Sequence, residues 1–340
     1  MGNAIGIIRY QLRKGIMKGK YRVIVENRNI KYDFEIKRNI TIIKGDSATG
    51  KTTLVDMIAE YYENGSDSGI SLQCRRVCAV LEGRNWEVLL SAMHESIIFV
   101  DEGNGFVKSH EFAAAVQKSD NYYVLVCREA LPMLPYSVTE IYGIRNSGKY
   151  GALQQVYNEM YRIYGGEDRG NQLCPDRVVV EDSNAGYEFF DAICRSRGIE
   201  CIAAGGKSKI FRLLCAVKEG NVLVIADGAA FGCEMEKVMA LAGKGSGIHL
   251  YLPESFEWLL LSSDIFKDKD LAHMLENTAD YAASEIYGSW ERFFTRVLVE
   301  ITQGTYLAYA KESLNRAYLQ GNIPEKVLRE MEGITFHKSE

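Results

Sequence analysis

Eight residues near the start of the chain have the spacing of a phosphate-binding loop. Positions 45–52 read G-x-x-x-x-G-K-T, and a β-branched run at 39–44 precedes them. Glycines in such a loop let main-chain N–H groups turn toward phosphate oxygens, while Lys51 supplies a cation and Thr52 a hydroxyl ligand for Mg²⁺. A helix that begins here adds its positive end to the anion site. The predicted nucleotide cradle consists of Gly45, Asp46, Ser47, Ala48, Thr49, Gly50, Lys51, Thr52 and Thr53.

Two carboxylates follow an apolar segment further along the chain. Residues 96–100 read S-I-I-F-V, and Asp101 and Glu102 come directly after them. This is the form of a Walker B motif, in which Asp101 holds the Mg²⁺ shell and Glu102 orients or deprotonates the attacking water. Beside the cradle, the pair predicts that ATP is hydrolysed as well as bound, with Lys51 and Glu102 as catalytic residues.

Alternating strands and helices are expected to position both motifs. The pattern predicts a hairpin ahead of the cradle strand and then strands that alternate with helices. The predicted strands are 21–26, 30–36, 39–44, 77–81, 96–100, 122–128 and 140–144. Such alternation implies right-handed crossovers and a mostly parallel sheet with helices on both faces. Glycine-rich and polar stretches at 146–149 and 165–170, around a short helical segment, mark the end of this P-loop domain at residue 165.

A second, smaller α/β domain is predicted over residues 166–262. Its strands are expected at 177–181, 201–204, 222–227 and 248–252, with helices at 187–197, 209–217 and 234–242. From residue 263 to 340, apolar and aromatic side chains recur at helical spacing. The predicted fold class is therefore α/β: a P-loop NTPase sheet, a second α/β domain, and a helical C-terminal region.

Acidic residues end two strands of this second domain. Glu181 and Asp227 are expected at one edge, because the carboxyl ends of parallel strands share an edge. Glu257 follows the last strand, and the turn at 205–208 brings main-chain donors and a lysine to the same edge. An all-oxygen set suits Mg²⁺, with Mn²⁺ as an alternative. Acids and glycine-rich turns are also common at loop-facing strand ends, so a purely structural role stays open.

The second domain resembles the TOPRIM domain of OLD-family nucleases and the TOPRIM-containing component of PARIS anti-phage systems. The segments that carry the resemblance are 181–186, 205–207, 227–229 and 255–257. The resemblance implies an ATPase followed by a domain that binds metal through Glu181, Asp227 and Glu257 and cuts DNA or RNA, with Glu181 and Asp227 as catalytic residues. In one departure, Ala229 stands where TOPRIM domains usually have the second acid of D-x-D. Cleavage is therefore less well supported than metal or phosphate binding.

The first domain also departs from its relatives. Its hairpin resembles that of ABC-type ATPases of the OLD and RecF kind, yet the sequence has no L-S-G-G-Q/E signature. Arg128 resembles the sensor or finger arginines of AAA-type ATPases. We expect a homo-oligomer in which Arg128 completes a neighbour's nucleotide site. The alternative is that Arg128 is an ordinary salt-bridge partner.

Composition narrows the class of protein. The 340 residues are 47% hydrophobic and 25% charged, with a net charge of −5, which is typical of a folded domain with no global basic field. Eight cysteines occur without a C-x-x-C pair and are typical of a reducing compartment. No apolar run is long enough to span a membrane, and no signal-peptide core is evident. These features predict a cytoplasmic protein without a membrane partner.

The leading functional expectation is an ATP-hydrolysing protein coupled to a TOPRIM-like nuclease in anti-phage defence. The main alternative is an ATP-dependent switch or scaffold whose second domain is degenerate and binds a protein partner. Ala229 favours this alternative, and the three acids at one edge favour the nuclease. A small-molecule kinase is disfavoured because no acceptor site or lid follows Arg128.

Overall fold

A computed structural model describes residues 18–45, 49–147, 155–165, 172–217, 219–243, 245–283 and 286–336. The cradle residues Asp46, Ser47 and Ala48 lie outside these ranges. The chain forms two compact units. The first contains the described residues up to Gly165 together with Asn277–Ser289, and the second contains those of Gly166–Glu276 and Trp290–Glu340.

The first unit is built on a mixed sheet that has nine strands among the described residues, in the order β4-β1-β2-β9-β8-β3-β7-β6-β5. The strands are β1 Tyr21–Glu26, β2 Ile30–Ile36, β3 Ile40–Ile43, β4 Ser71–Gln73, β5 Cys78–Val80, β6 Ile97–Val100, β7 Tyr122–Val126, β8 Ile141–Asn146 and β9 Val156–Arg162. The helices are α1 Lys51–Asn64, α2 Trp86–Ser91 and α3 His110–Lys118, with 3-10 turns at Gly65–Ser68, Gly105–Lys108, Val138–Glu140 and Thr278–Asp280.

The parallel part of this sheet holds the predicted motifs. Strands β8, β3, β7, β6 and β5 pair in parallel, as the alternating pattern predicts. The sheet as a whole is mixed, however, because the antiparallel hairpin β1–β2 and the strands β4 and β9 join it. The prediction of a mostly parallel sheet is therefore corrected to a mixed one.

Strand β9 replaces the short helical segment that the sequence predicts between the glycine-rich stretches. It pairs antiparallel with β8 and parallel with β2, and so joins the hairpin to the parallel strands. Its valine, methionine and two tyrosines favour a pleated, half-buried strand. The short strand β4, three residues of mixed polarity, is also absent from the sequence prediction.

The large sheet curls around α1. Strands β4 and β5 stand at opposite ends of the strand order, yet only residues 74–77 connect them. A connection this short spans at most about 18 Å when fully extended. The hairpin strands accordingly face the parallel strands. The ring centroids of Tyr21 and Tyr122 are separated by 5.7 Å, and those of Phe34 and Phe99 by 6.5 Å. Helix α1 packs against β1, β4 and β5 inside this curl.

The second unit contains a four-stranded, wholly parallel sheet among its described residues, in the order β11-β10-β12-β13. Its strands are β10 Arg177–Val180, β11 Glu200–Ala203, β12 Val222–Ile225 and β13 Ile248–Tyr251. Its helices are α4 Ala185–Ser196, α5 Lys207–Leu214, α6 Met235–Leu241, α7 Phe256–Ser262, α8 Lys269–Glu276, α9 Trp290–Thr302 and α10 Ile323–Arg329, with 3-10 turns at Gly232–Glu234 and Arg316–Leu319. The predicted smaller α/β sheet is present.

The C-terminal helices are part of this second unit and not a separate region. Helix α9 packs against α7, so residues 290–340 share a compact unit with 166–276. The amphipathic stripe of α9 supplies the reason, because Phe293, Phe294, Val297 and Leu298 are all buried. Within the described part of the chain, no helix combines the length and apolar character needed to cross a bilayer.

Candidate nucleotide and metal sites

The structure brings the cradle and the acid pair to one edge of the large sheet. In the parallel register, Ile43 at the end of β3 lies opposite Val126 of β7, and Leu125 lies opposite Val100 at the end of β6. Asp101 is therefore level with the end of β3, two strands away. At the usual strand spacing this separation is about 10 Å. Nucleotide sites commonly lie outside the carboxyl ends of parallel strands, which is the edge that these residues share.

Lys51 is held inside the loop that it is predicted to serve. Gly45 has φ 130° and Gly50 has φ 89°, in the left-handed region that favours glycine. The Lys51 ammonium donates to the Gly45 carbonyl at 2.8 Å and to the Thr49 hydroxyl at 3.0 Å. Its side chain is buried and lies at the first residue of α1. The described ends of the loop thus curl around the lysine head group, where phosphate oxygens could replace the loop oxygens.

Two buried residues of other strands support the loop from behind. The Tyr32 hydroxyl of β2 donates to the Gly50 carbonyl at 2.8 Å. A Cβ atom at Gly50 would lie 2.7 Å from that hydroxyl and 3.4 Å from the Asn158 amide nitrogen of β9. Glycine is therefore required at this position by close approach as well as by φ. Sequence analysis missed both supports, because neither belongs to a motif and β9 was not predicted.

Nothing in the described part of the chain opposes an anion at the start of α1. No side chain among the described residues caps this end, and its first turn carries no acid. Thr52 and Thr53 are exposed in that turn. Unpaired N–H groups and the helix dipole favour a phosphate at such an end.

Asp101 carries a buried oxygen that lacks a partner. Its Oδ1 atom is buried and accepts no hydrogen bond from the described residues. Its main-chain carbonyl is held by Asn104, whose N–H and side-chain amide donate at 3.2 Å and 3.1 Å. Leaving such an acceptor unsatisfied costs about 1–3 kcal/mol, and more when it is charged. A cation at this edge would satisfy it, so the residue fits a role as a Mg²⁺ ligand.

Glu102 pairs with Arg128 of the same chain. The Arg128 Nε atom lies 2.6 Å from Glu102 Oε1, with the two side chains 60% and 37% exposed respectively. An exposed ion pair contributes only about 0.2–1 kcal/mol. This pair is therefore easily exchanged for other partners. The salt-bridge role of Arg128 is observed, and its role in a neighbour's site stays a prediction.

Glu181 and Asp227 are direct neighbours at the corresponding edge of the smaller sheet. The Asp227 N–H donates to Glu181 Oε2 at 3.0 Å, and the Phe256 N–H donates to Asp227 Oδ1 at 3.1 Å. Each carboxylate thus has one oxygen engaged by the main chain. The convergence expected from parallel strand ends is present for this pair.

Glu257 is surrounded by partners that sequence analysis did not identify. The Tyr309 hydroxyl donates to Glu257 Oε1 at 3.0 Å, and Lys311 Nζ lies 3.9 Å from the same oxygen. Lys311 also forms a close ion pair with Glu291. These three residues come from the segment 290–311, where no motif marks them, and tertiary packing alone brings them to the acids.

Burial dominates the electrostatics of this acidic cluster. It raises the pKa of Glu181 to about 7. Burial, followed by the charges of Glu291 and Glu181, holds the pKa of Asp227 well above its usual value. Burial alone would lower the pKa of Lys311, but the carboxylates of Glu257 and Glu291 outweigh it and raise that pKa. The cluster therefore favours added positive charge, as a proton or a cation.

The predicted metal trio is not a ready-made ligand set. Among the described residues, no group of three or more histidine, cysteine, aspartate or glutamate side chains is arranged to hold a metal ion. Glu181 and Asp227 form a pair, whereas Glu257 is engaged by Tyr309 and approached by Lys311. In the described part of this edge, Glu181 and Asp227 offer a cation two adjacent carboxylates, and water or substrate oxygens would complete its shell.

One residue in each of the segments 205–207 and 227–229 forms a hydrogen bond that fixes it in the fold. Lys207 donates to the Ala230 carbonyl at 2.7 Å. Ala229 is 3% exposed, and its N–H donates to the Glu254 carbonyl at 3.2 Å. A carboxylate at position 229 would therefore be buried.

Neither a scan of protein-family models nor a comparison with curated proteins finds a match to this chain.

The contact between Tyr32 and the loop is testable without assuming an activity. Tyr32→Phe keeps the ring but removes the hydroxyl that fixes the Gly50 carbonyl. A hydrogen bond of this kind contributes about 1 kcal/mol, so amide exchange at residues 49–53 should be roughly fivefold faster. Hydrogen exchange with mass spectrometry measures this. Tyr157→Phe is the control, because that hydroxyl contacts Asp33 instead. Equal exchange in both variants would contradict the supporting role of Tyr32.

The pKa of Glu181 predicts how stability depends on pH. Folding raises this pKa from the usual 4.5 to about 7, so the folded state binds more protons than the unfolded state between these values. Stability should therefore fall as pH rises through that window, by on the order of 3 kcal/mol from this group.

Glu181→Gln keeps an acceptor for the Asp227 N–H and removes the charge. The melting temperature of this variant should exceed that of the wild type at pH 8 and match it near pH 4.5. Glu188→Gln is the control, since the Glu188 carboxylate also accepts a main-chain N–H, from Leu314 at 2.8 Å. A Glu181→Gln variant that is less stable than wild type at pH 8 would refute this account.

Proposed function

We propose that this protein binds and hydrolyses ATP at the carboxyl edge of the large sheet. One observation carries the proposal: a buried oxygen of Asp101, which has no hydrogen-bond partner among the described residues, shares this edge with the described ends of a loop that hold Lys51. A bound Mg²⁺ would neutralise charge on the phosphates and satisfy that oxygen. The full G-x-x-x-x-G-K-T spacing supports a triphosphate as the ligand.

Each residue of this edge has a distinct role in the proposal. The Lys51 ammonium exchanges its bonds to the Gly45 carbonyl and Thr49 hydroxyl for bonds to phosphate oxygens. The Thr52 hydroxyl and the Asp101 carboxylate hold Mg²⁺. Glu102 orients the attacking water and accepts its proton as the water oxygen bonds to the γ-phosphorus, while the bond from that phosphorus to the β–γ bridging oxygen breaks and ADP leaves.

Arg128 is proposed to control Glu102. While the pair is intact, the carboxylate is occupied by a guanidinium, and such an exposed pair breaks at small cost. Arg128 is then available for phosphate oxygens of its own site or of a neighbouring copy. The second arrangement needs a homo-oligomer, which we propose as the active state.

For the second unit we propose metal-dependent cleavage of DNA or RNA at Glu181 and Asp227. Their adjacency and their raised pKa values support it, because both favour capture of a divalent cation. A setting in anti-phage defence rests on the TOPRIM resemblance. Cytoplasmic location and the absence of a membrane partner belong to the same proposal.

A rival function for the second unit has its own support. Lys311 already supplies positive charge to the acids, and the position of Ala229 is buried against the main chain. Both features suit a non-catalytic unit that binds a protein partner, with ATP as the switch. ATP hydrolysis is common to both alternatives, and only the role of the acids differs.

ATP turnover should depend separately on Lys51 and Glu102. Lys51→Ala should lose ATP binding, whereas Glu102→Gln should bind ATP normally and hydrolyse it at least about a hundredfold more slowly. Equilibrium binding and phosphate release measure the two effects. Glu159→Gln is the control, because it breaks another Arg–Glu pair of the same sheet, with Arg145 at 2.8 Å. Wild-type turnover in Glu102→Gln would remove this residue from the mechanism.

Cleavage is tested by incubating the protein with labelled DNA and RNA, with Mg²⁺ or Mn²⁺, with and without ATP. The nuclease proposal predicts products that disappear in Glu181→Ala and in Asp227→Ala, while ATP hydrolysis persists because these residues lie in the other unit. Glu188→Gln should cleave like the wild type. If no substrate is cut under any condition, the partner-binding alternative is the better account.

A further inference from the structure

Two cysteines flank the short segment that joins the ends of the large sheet. Cys74 follows β4, is half-buried and packs against the core of the first unit, and Cys78 begins β5 inside that core with 4% exposure. Both side chains bond the main chain of Arg76. The Arg76 N–H donates to Cys74 Sγ at 3.5 Å, and the Cys78 thiol donates to the Arg76 carbonyl at 3.9 Å. The two sulfur atoms are therefore gathered around one residue.

The two arginines of this segment fix it against β1. Arg75 donates to the Lys20 carbonyl at 2.9 Å, and Arg76 donates to the Tyr21 hydroxyl at 3.3 Å. Both guanidinium groups lie over the Tyr21 ring, at 5.8 Å and 5.6 Å from its centroid. Arg76 also pairs with Glu95 at 2.9 Å. A segment held at this many points keeps the thiols together, which favours reaction between them.

The pKa values of the two thiols are shifted in opposite directions, as a reactive cysteine pair requires. Contact with the Cys78 thiol lowers the pKa of Cys74 to about 7, with help from the N–H groups of Arg76 and Arg75 and against the effect of burial. The same contact, together with burial, raises the pKa of Cys78. Cys74 is thus the thiol of the pair that ionises more readily and is less buried, and Cys78 is the protonated thiol beside it.

We propose that Cys74 and Cys78 are a peroxide-reactive pair that forms a reversible disulfide. The Cys74 thiolate attacks one oxygen of hydrogen peroxide, the O–O bond breaks, and a sulfenic acid and hydroxide form. The Cys78 sulfur then attacks the sulfenic sulfur, the S–O bond breaks, and the thiol proton leaves with the released hydroxide as water. The hydroxide from the first step takes up the proton that Cys74 lost on ionising, so overall two thiols are oxidised by two electrons and one peroxide is reduced to two waters.

A second cysteine pair serves as an internal control. Cys194 and Cys201 also interact in the second unit, but Cys194 is fully buried, and contact with it and burial raise the pKa of Cys201. The connection between them also carries an anchored arginine, because Arg197 pairs with Glu325 at 2.7 Å and lies over the Phe336 ring, so this pair matches the first in that respect. Each pair has one buried and one partly buried cysteine, so pairing and burial predict equal reactivity for the two pairs, whereas thiolate character predicts that Cys74 reacts first.

The experiment exposes the reduced full-length chain to graded hydrogen peroxide, blocks free thiols by alkylation, and analyses a tryptic digest by mass spectrometry. Trypsin cuts at Arg75 and Arg76, so peptides 52–75 and 77–84 separate unless a disulfide joins them. Peptides 178–195 and 198–207 report the control pair in the same way. The measurement on the wild type needs no variant and so does not depend on how a mutant folds.

We expect the linked 52–75 and 77–84 pair to form at about tenfold lower peroxide than any link between the control peptides, and to disappear with dithiothreitol. Cys78→Ser should instead leave a sulfenic acid on Cys74 that dimedone labels, and Cys74→Ser should give neither product. The proposal is overturned if the linked pair does not form in the wild type, or if the control pair links at the same dose.

Discussion

Parallel strand pairing is the constraint on which both sites depend. Because β3, β7 and β6 run in the same direction, the end of the cradle strand and Asp101 must open on one edge, two strands apart. The same rule places Glu181 and Asp227 side by side on β10 and β12. Antiparallel pairing of either set would send the acids to opposite edges. Strand direction thus decides which residues meet at each proposed site.

The two edges differ in how they balance charge. At the first edge, Lys51 donates to loop oxygens, and within the described ranges one buried Asp101 oxygen has no hydrogen-bond partner, so the edge offers charge to both an anion and a cation. At the second edge, buried carboxylates are crowded, and Lys311 offsets only part of their charge. Crowding of this kind stabilises protonated or cation-bound states over the bare carboxylates. The first edge is thus suited to a nucleotide with its metal, and the second to a cation alone.

Local patterns allowed most of the elements to be predicted, and tertiary contacts account for what was missed. Residues 21–36 show the alternation of a hairpin, and the strands predicted at 21–26 and 30–36 have those bounds in the structure. β4 has three residues, too few for a periodic signal, and β9 follows a glycine-rich stretch that reads as loop.

The residues of the candidate sites also fall into two groups: those that a local sequence motif marks and those that only tertiary contacts bring to the site. Lys51, Asp101 and Glu102 could be identified because motif and strand end coincide in sequence. Lys311 and Glu291 could not, since only tertiary packing, including that of α9 on α7, brings them near the acids that follow β10 and β12. Likewise, nothing local marks Tyr32 as the support of Gly50, because 18 positions separate them.

The central claim is that Asp101 and Lys51 share one nucleotide and its metal. Calorimetric titration of ATP into wild-type protein and Asp101→Asn, with Mg²⁺ and with a chelator, tests it most directly. The account predicts that Mg²⁺ strengthens ATP binding to the wild type and that this gain is lost in Asp101→Asn, while binding without metal is retained. An equal gain from Mg²⁺ in both proteins, or no ATP binding by the wild type, would contradict it.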